Sequence, residues 1–289
     1  MCLSRRKSRF RFKYLFFGLL LTYIIMCQSC MTMRMTPKET KTYFETSKVA
    51  YTSQTFTVDN HKLHYIETGN PQNPTLFFIH GSPGSWDAYK RYLTDSLSLK
   101  KFRMIAIDRP GFGYSDFGKA VDLETQASLL ESLATQITNS KPVVLVGHSL
   151  GGPVIVKMAA DKPNFFAHLV VLAGSVDPRM ETPEIWRVVL KAKPIRYLIP
   201  GALRPSNDEL WWLKEDLYDL QPKLKNISCG VTIIHGTKDP LVPYANMAFL
   251  QKRLVNARSV DTISIKGANH FIPWEHFERI RNALSEIKL

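Results

Sequence analysis

The chain has 289 residues, 45% of them hydrophobic and 22% charged, with a formal net charge of +13. That length and apolar content suffice for one sizeable core and exclude both a disordered chain and a multi-span membrane protein. The charge is not of nucleic-acid type: Arg5, Arg6, Lys7, Arg9, Arg11 and Lys13 crowd the first thirteen residues, and no Lys/Arg run follows in the remainder.

The N-terminus reads as an address. The basic stretch is followed by YLFFGLLLTYIIM (14–26) and then by CQSC (27–30). About 13 apolar residues suit a secretory signal and fall short of the roughly 17–25 that a spanning helix needs. Ser29-Cys30 is similar to the end of a bacterial lipoprotein signal, so acylation at Cys30 is expected, with an uncleaved signal anchor as the alternative. Either places the body on a membrane surface, on the exported side. Residues 31–50 are polar without a clear period and read as a tether. Of the four cysteines only Cys229 lies in the body, so no disulfide can form within it.

From residue 51 strands and helices alternate. TFTVD (55–59) and KLHYIET (62–68) read as a hairpin turning at Asp59-Asn60. Short apolar runs follow at 75–81, 102–108, 142–149, 169–175, 231–236 and 260–267. Runs of this kind suit strands covered on both faces. Helical spacing appears at 123–137, 153–162 and 277–287. The alternation predicts an α/β fold with a mostly parallel eight-stranded sheet over 51–176 and 230–289. Residues 177–229 interrupt it. They are rich in large apolar residues and are cut by prolines, which predicts two or three short helices forming a lid.

The chemistry centres on Gly147-His148-Ser149-Leu150-Gly151, a G-x-S-x-G between a strand and a helix. A turn sharp enough to expose Ser149 brings the residues two before and two after nearly into contact, hence the glycines. A serine hydroxyl needs a base, and His270 follows the last strand. Asp239, in HGTKDP (235–240), follows the preceding strand and is the candidate acid; Asp177 is the reserve. Two backbone N–H groups should face the developing oxyanion. The candidates are the amides of Leu150 and of Ser82 in His80-Gly81-Ser82-Pro83-Gly84. Trp86, Trp186 and Trp212 are candidate pocket residues, and Asp108 reads as a structural carboxylate that binds loop amides. No metal-ligand or dinucleotide pattern appears, so no cofactor is expected.

HGSPG (80–84), DRPGFGYS (108–115), GHSLGG (147–152), HGTKDPLVP (235–243) and GANHFIPWE (267–275) together resemble the capped branch of the α/β-hydrolases over residues 51–289. HGSPG and DRPGFG are similar to epoxide hydrolases and haloalkane dehalogenases, which use an Asp nucleophile where this chain has Ser149. The resemblance therefore implies an esterase, a lipase-like enzyme or a cofactor-free perhydrolase, with the order Ser149, Asp239, His270. The expected activity is cleavage of a small-molecule carboxylic ester or related acyl compound through an acyl-enzyme. Amide or carbon–carbon cleavage, or perhydrolase-type chemistry with the same triad, is the alternative, and a non-catalytic binding protein the rival from another class.

Overall fold

The computed structural model describes residues 3–29, 31–182 and 184–289. Cys30, the expected acylation site, lies outside the described residues. Eight strands form one sheet: β1 (Tyr51–Val58), β2 (His61–Gly69), β3 (Thr75–Ile79), β4 (Arg103–Ile107), β5 (Val143–His148), β6 (His168–Leu172), β7 (Gly230–Gly236) and β8 (Ser259–Ile265). Their spatial order is β1-β2-β4-β3-β5-β6-β7-β8. β1 and β2 form an antiparallel hairpin whose turn residues, Asp59 and Asn60, both take positive φ. β2 also runs antiparallel to β4, and every later pairing is parallel. β3 to β7 are buried along their whole length, as strands covered on both faces must be.

The helices are α1 (Leu3–Ser29), α2 (Pro37–Ser47), α3 (Lys90–Leu93), α4 (Ser96–Lys101), α5 (Leu123–Ile137), α6 (Gly151–Asp161), α7 (Trp186–Lys191), α8 (Leu203–Leu220), α9 (Ala245–Arg253), α10 (Ile272–Glu275) and α11 (Phe277–Glu286). Two apolar layers flank the sheet. One packs α5, α6 and the inner face of α8 on Ile79, Ile107 and Leu145, and the other packs α11 and Trp86 on Phe78, Val146 and Ile234. The 177–229 interval forms α7, α8 and three short 3-10 turns. Among the described residues no helix is long and apolar enough to cross a membrane.

One expectation is corrected. Residues 31–50 are no free tether. Thr36-Pro37-Lys38-Glu39 makes a capping box that starts α2, with the Thr36 side chain accepting from the Glu39 amide. Phe44 is buried and stacks on Tyr51 and Trp86 at ring-centroid distances of 4.2 and 5.9 Å. Arg34 lies over the Tyr114 ring at 4.0 Å, and the Met35 amide donates to Asp87 Oδ2 at 3.0 Å. The polar average of the segment hides these few anchoring residues.

A buried carboxyl in α5 gives a testable result. Burial, then the neighbouring Asp161, pushes Glu131 up to about 7. A raised carboxyl takes up its proton in the folded state first, so it costs stability above pH 7, and that cost fades as pH falls toward the ordinary glutamate range. Glu131→Gln is therefore expected to stabilise the protein by roughly 1–3 kcal/mol above pH 7 and not near pH 4.5. Thermal unfolding at both pH values checks this, and an equal gain at both would contradict it.

Candidate active site

Ser149, Asp239 and His270 come from loops at the C-terminal ends of β5, β7 and β8, the edge where open α/β sheets bind ligands. Ser149 has φ +54°, strained for a residue with a side chain. Its amide donates to Leu172 O at 3.0 Å and the Gly152 amide returns to Ser149 O at 2.9 Å, which fixes the turn. A Cβ on Gly147 would stand 2.3 Å from the Gly151 carbonyl oxygen, and one on Gly151 2.3 Å from that of Ile79. Both glycines are demanded by backbone crowding.

His270 Nδ1 lies 2.7 Å from Asp239 Oδ2. The other carboxylate oxygen accepts the amides of Leu241 and Val242 at 2.9 and 2.8 Å. Burial alone would raise Asp239. Hydrogen bonds from His235 and His270 and the Val242 amide outweigh it and hold the carboxyl well below the usual aspartate range. An ionised Asp239 makes Nδ1 the protonated nitrogen of neutral His270 and leaves Nε2 as the basic one. His148 is different: burial first, then His270, pushes it down to about 3, and its Nε2 donates to the His270 carbonyl oxygen at 3.0 Å. It is a neutral support for the loop that carries His270. Asp177, the reserve acid, is engaged elsewhere, with Arg179 Nη2 2.7 Å from its Oδ2.

The oxyanion-loop candidate lies against Ser149. A Cβ on Gly81 would sit 2.9 Å from the Ser149 Cβ. The Ser82–Pro83 bond is cis. A buried arginine organises this loop. Arg109 Nε donates to His80 O at 2.9 Å and Nη2 to Gly81 O at 3.0 Å. Nη1 donates to Gln126 Oε1 at 2.7 Å, and the two Nη atoms reach the Glu209 carboxylate at 2.7 and 2.9 Å. All five guanidinium N–H groups are used. Glu209 lies on α8, as does Ser206, whose Oγ accepts from Ser82 Oγ at 2.8 Å. The loop is thus tied to the 177–229 insertion at two points. Asp108 holds the neighbouring loops through the amides of Trp86 and Tyr114 at 2.7 and 2.9 Å.

A cavity of about 1290 Å³ opens over Ser149, with Ser82, Leu150 and His270 in its wall. Leu210 and Leu213 of α8 close one side and Phe271 and Trp274 another. The three tryptophans expected in the pocket are not among its lining. Trp86 is fully buried under Phe44 in the opposite layer, Trp186 is half-exposed with Arg187 against its ring, and Trp212 lines a separate groove beside Val121. Their sequence signal was aromatic content near a motif, which does not say which way a side chain faces. Sequence reasoning also missed Met33, Arg34, Met35 and Glu39, which form part of the wall. The signal that would have found them is the Thr-Pro-x-Glu helix start at residue 36. Cys229 is buried and its thiol is pushed up to about 11 by that burial, so it is inert.

A family model described as the alpha/beta hydrolase fold matches residues 74–198. The chain is 27% identical over 267 residues to the uncharacterized hydrolase YugF of Bacillus subtilis (strain 168), covering 80% of this chain and 96% of that one. It is 26% identical over 232 residues to the serine hydrolase BPHL of Mus musculus, covering 72% and 78%. Among solved structures, a membrane phospholipase A described as a bacterial virulence factor superposes with a TM-score of 0.64 at 19% identity, covering 97% of this chain and all of that one. The strand order, the strained serine elbow and these relatives agree: the chain belongs to the α/β-hydrolase superfamily and is a hydrolase.

Proposed function

We propose that the chain is a serine hydrolase cleaving carboxylic esters or related acyl compounds through an acyl-enzyme on Ser149. The observation that carries the reading is the 2.7 Å contact between His270 Nδ1 and an ionised, amide-held Asp239, on the same sheet edge as the strained Ser149. His270 Nε2 takes the Ser149 proton as Oγ attacks the carbonyl carbon. The amides of Ser82 and Leu150 hold the oxyanion. Collapse expels the alcohol, which receives the proton from His270. Water then attacks the acyl-enzyme, with His270 again the base, and the acid leaves Ser149 free. Asp239 keeps the imidazole in the productive tautomer and offsets the charge of the imidazolium. The largely hydrocarbon wall supplied by Met33, Met35, Leu210, Leu213 and Phe271 favours an apolar acyl or alcohol group. The basic stretch, apolar run and Ser29-Cys30 of the N-terminus support attachment to a membrane on the exported side, through a lipid on Cys30 or an uncleaved helix.

The test is turnover of p-nitrophenyl acetate and octanoate beside the matching anilides. Ester hydrolysis with a burst of p-nitrophenol, octanoate favoured, is the expected result. A folded protein that turns over neither ester would overturn the reading.

A further inference from the structure

The surface of the 177–229 insertion carries a feature that catalysis does not use. α7 buries no side chain, yet Val188 and Val189 lie on it, Ile185 precedes it 80% exposed, and Tyr197 and Leu198 follow, also exposed. Exposed apolar side chains gathered in so short a stretch point to an interaction site. Its charge points to an anion. Residues 184–198 hold Arg187, Lys191, Lys193 and Arg196 against one acid, Glu184. Arg187 pairs with Glu184 and Arg196 with Asp208, while Lys191 lies over the Trp212 ring.

The position of α1 says what lies beyond. Its side chains from Phe12 to Met26 are largely apolar and exposed, after a start whose charged residues are all basic. Its C-terminal end is bound to this same patch. Tyr23 Oη donates to Leu198 O at 3.0 Å, Gln28 Nε2 to Tyr197 O at 2.9 Å, and the Gly201 amide to Cys27 O at 2.8 Å. The Ala202 amide continues to Met31 O at 3.0 Å. Attachment through α1 therefore begins beside the patch, and a chain cut before residue 30 would keep only the Ala202–Met31 bond there. Met33, a wall residue of the cavity, follows Ser29 by only four residues, a span of at most about 15 Å.

We propose that the face formed by Ile185, α7, Tyr197 and Leu198 seats on an anionic lipid bilayer, so that the cavity over Ser149 opens beside lipid and receives acyl substrates dissolved in it. The substrate half of this statement rests on the ester-hydrolase reading; the docking half does not.

Vesicle flotation of the full chain tests it, with phosphatidylcholine alone and with about one-third phosphatidylglycerol. Ile185→Glu/Val189→Glu is expected to weaken binding to the mixed vesicles roughly ten-fold or more. Lys191→Gln/Lys193→Gln is expected to remove most of the preference for the anionic lipid, also about ten-fold or more. Neither pair lines the cavity, so the melting temperature and turnover of soluble p-nitrophenyl acetate should match wild type. Hydrolysis of an ester dissolved in the vesicles should fall in step with binding. Wild-type protein that floats with neither vesicle, or variants that bind as wild type does, would overturn the docking. Loss of vesicle binding in the variants of a protein that hydrolyses no ester would sustain the docking and reject the ester reading.

Discussion

His270→Ala is expected to lower kcat by about 10⁴–10⁶-fold with the fold intact, because in the proposed mechanism it removes the base of the seryl hydroxyl. Asp239→Asn separates the roles of the acid more sharply. Asn keeps an oxygen for the Leu241 and Val242 amides, which Asp239 Oδ1 accepts at 2.9 and 2.8 Å. Its amide N–H would face His270 Nδ1, where Oδ2 now stands at 2.7 Å. That arrangement asks Nδ1 to accept and puts the imidazole proton on Nε2, where it blocks the serine. A loss of about 10⁴-fold in kcat is expected, with KM little changed. Steady-state kinetics beside circular dichroism check both variants; losses under ten-fold would contradict the roles given. The depressed carboxyl of Asp239 has a pH consequence. Its contribution to stability is complete above the ordinary aspartate range and is lost as pH falls through the lower folded value. Activity lost on mild acidification therefore reflects a group other than Asp239.

Glu209→Ala is the second large effect. It leaves the Arg109 guanidinium, fully buried, without its bidentate partner. Breaking a buried pair from one side costs roughly 3–5 kcal/mol. The melting temperature is expected to fall by about 10 °C. The same guanidinium holds the carbonyls of His80 and Gly81, so a displaced Arg109 also displaces the 80–84 loop proposed to hold the oxyanion. A loss of order 10²-fold in kcat follows. Arg109→Met/Glu209→Leu distinguishes the two effects. Replacing both charges should return most of the stability, yet the loop carbonyls remain unheld and kcat stays low. Recovery of kcat together with stability would limit the pair to a structural role.

Much of this site could be read in the sequence because its constraints are local. The elbow needs glycine at 147 and 151, and the strand before it and helix after it carry their own periodicities. Asp239 and His270 could be placed because each follows an apolar run that is unmistakably a strand. The side-chain wall of the cavity was not legible. Trp212 shares the 18-residue helix α8 with Leu210 and Leu213 and differs from them only in the face it occupies, and aromatic content alone does not say which face turns toward Ser149. Arg109 and Glu209 are 100 residues apart and meet only once the insertion folds back over the sheet edge. The segment 31–50 was misread through its average polarity, although the Thr36–Glu39 box and Phe44 carry its structure.

Fluorophosphonate labelling, followed by peptide mapping, tests the central claim most directly, since the reagent reacts with an activated serine. Wild type should label at Ser149 alone, and folded Ser149→Ala and His270→Ala should not label. Failure of folded wild-type protein to label, or labelling that persists at another residue in Ser149→Ala, would contradict the mechanism.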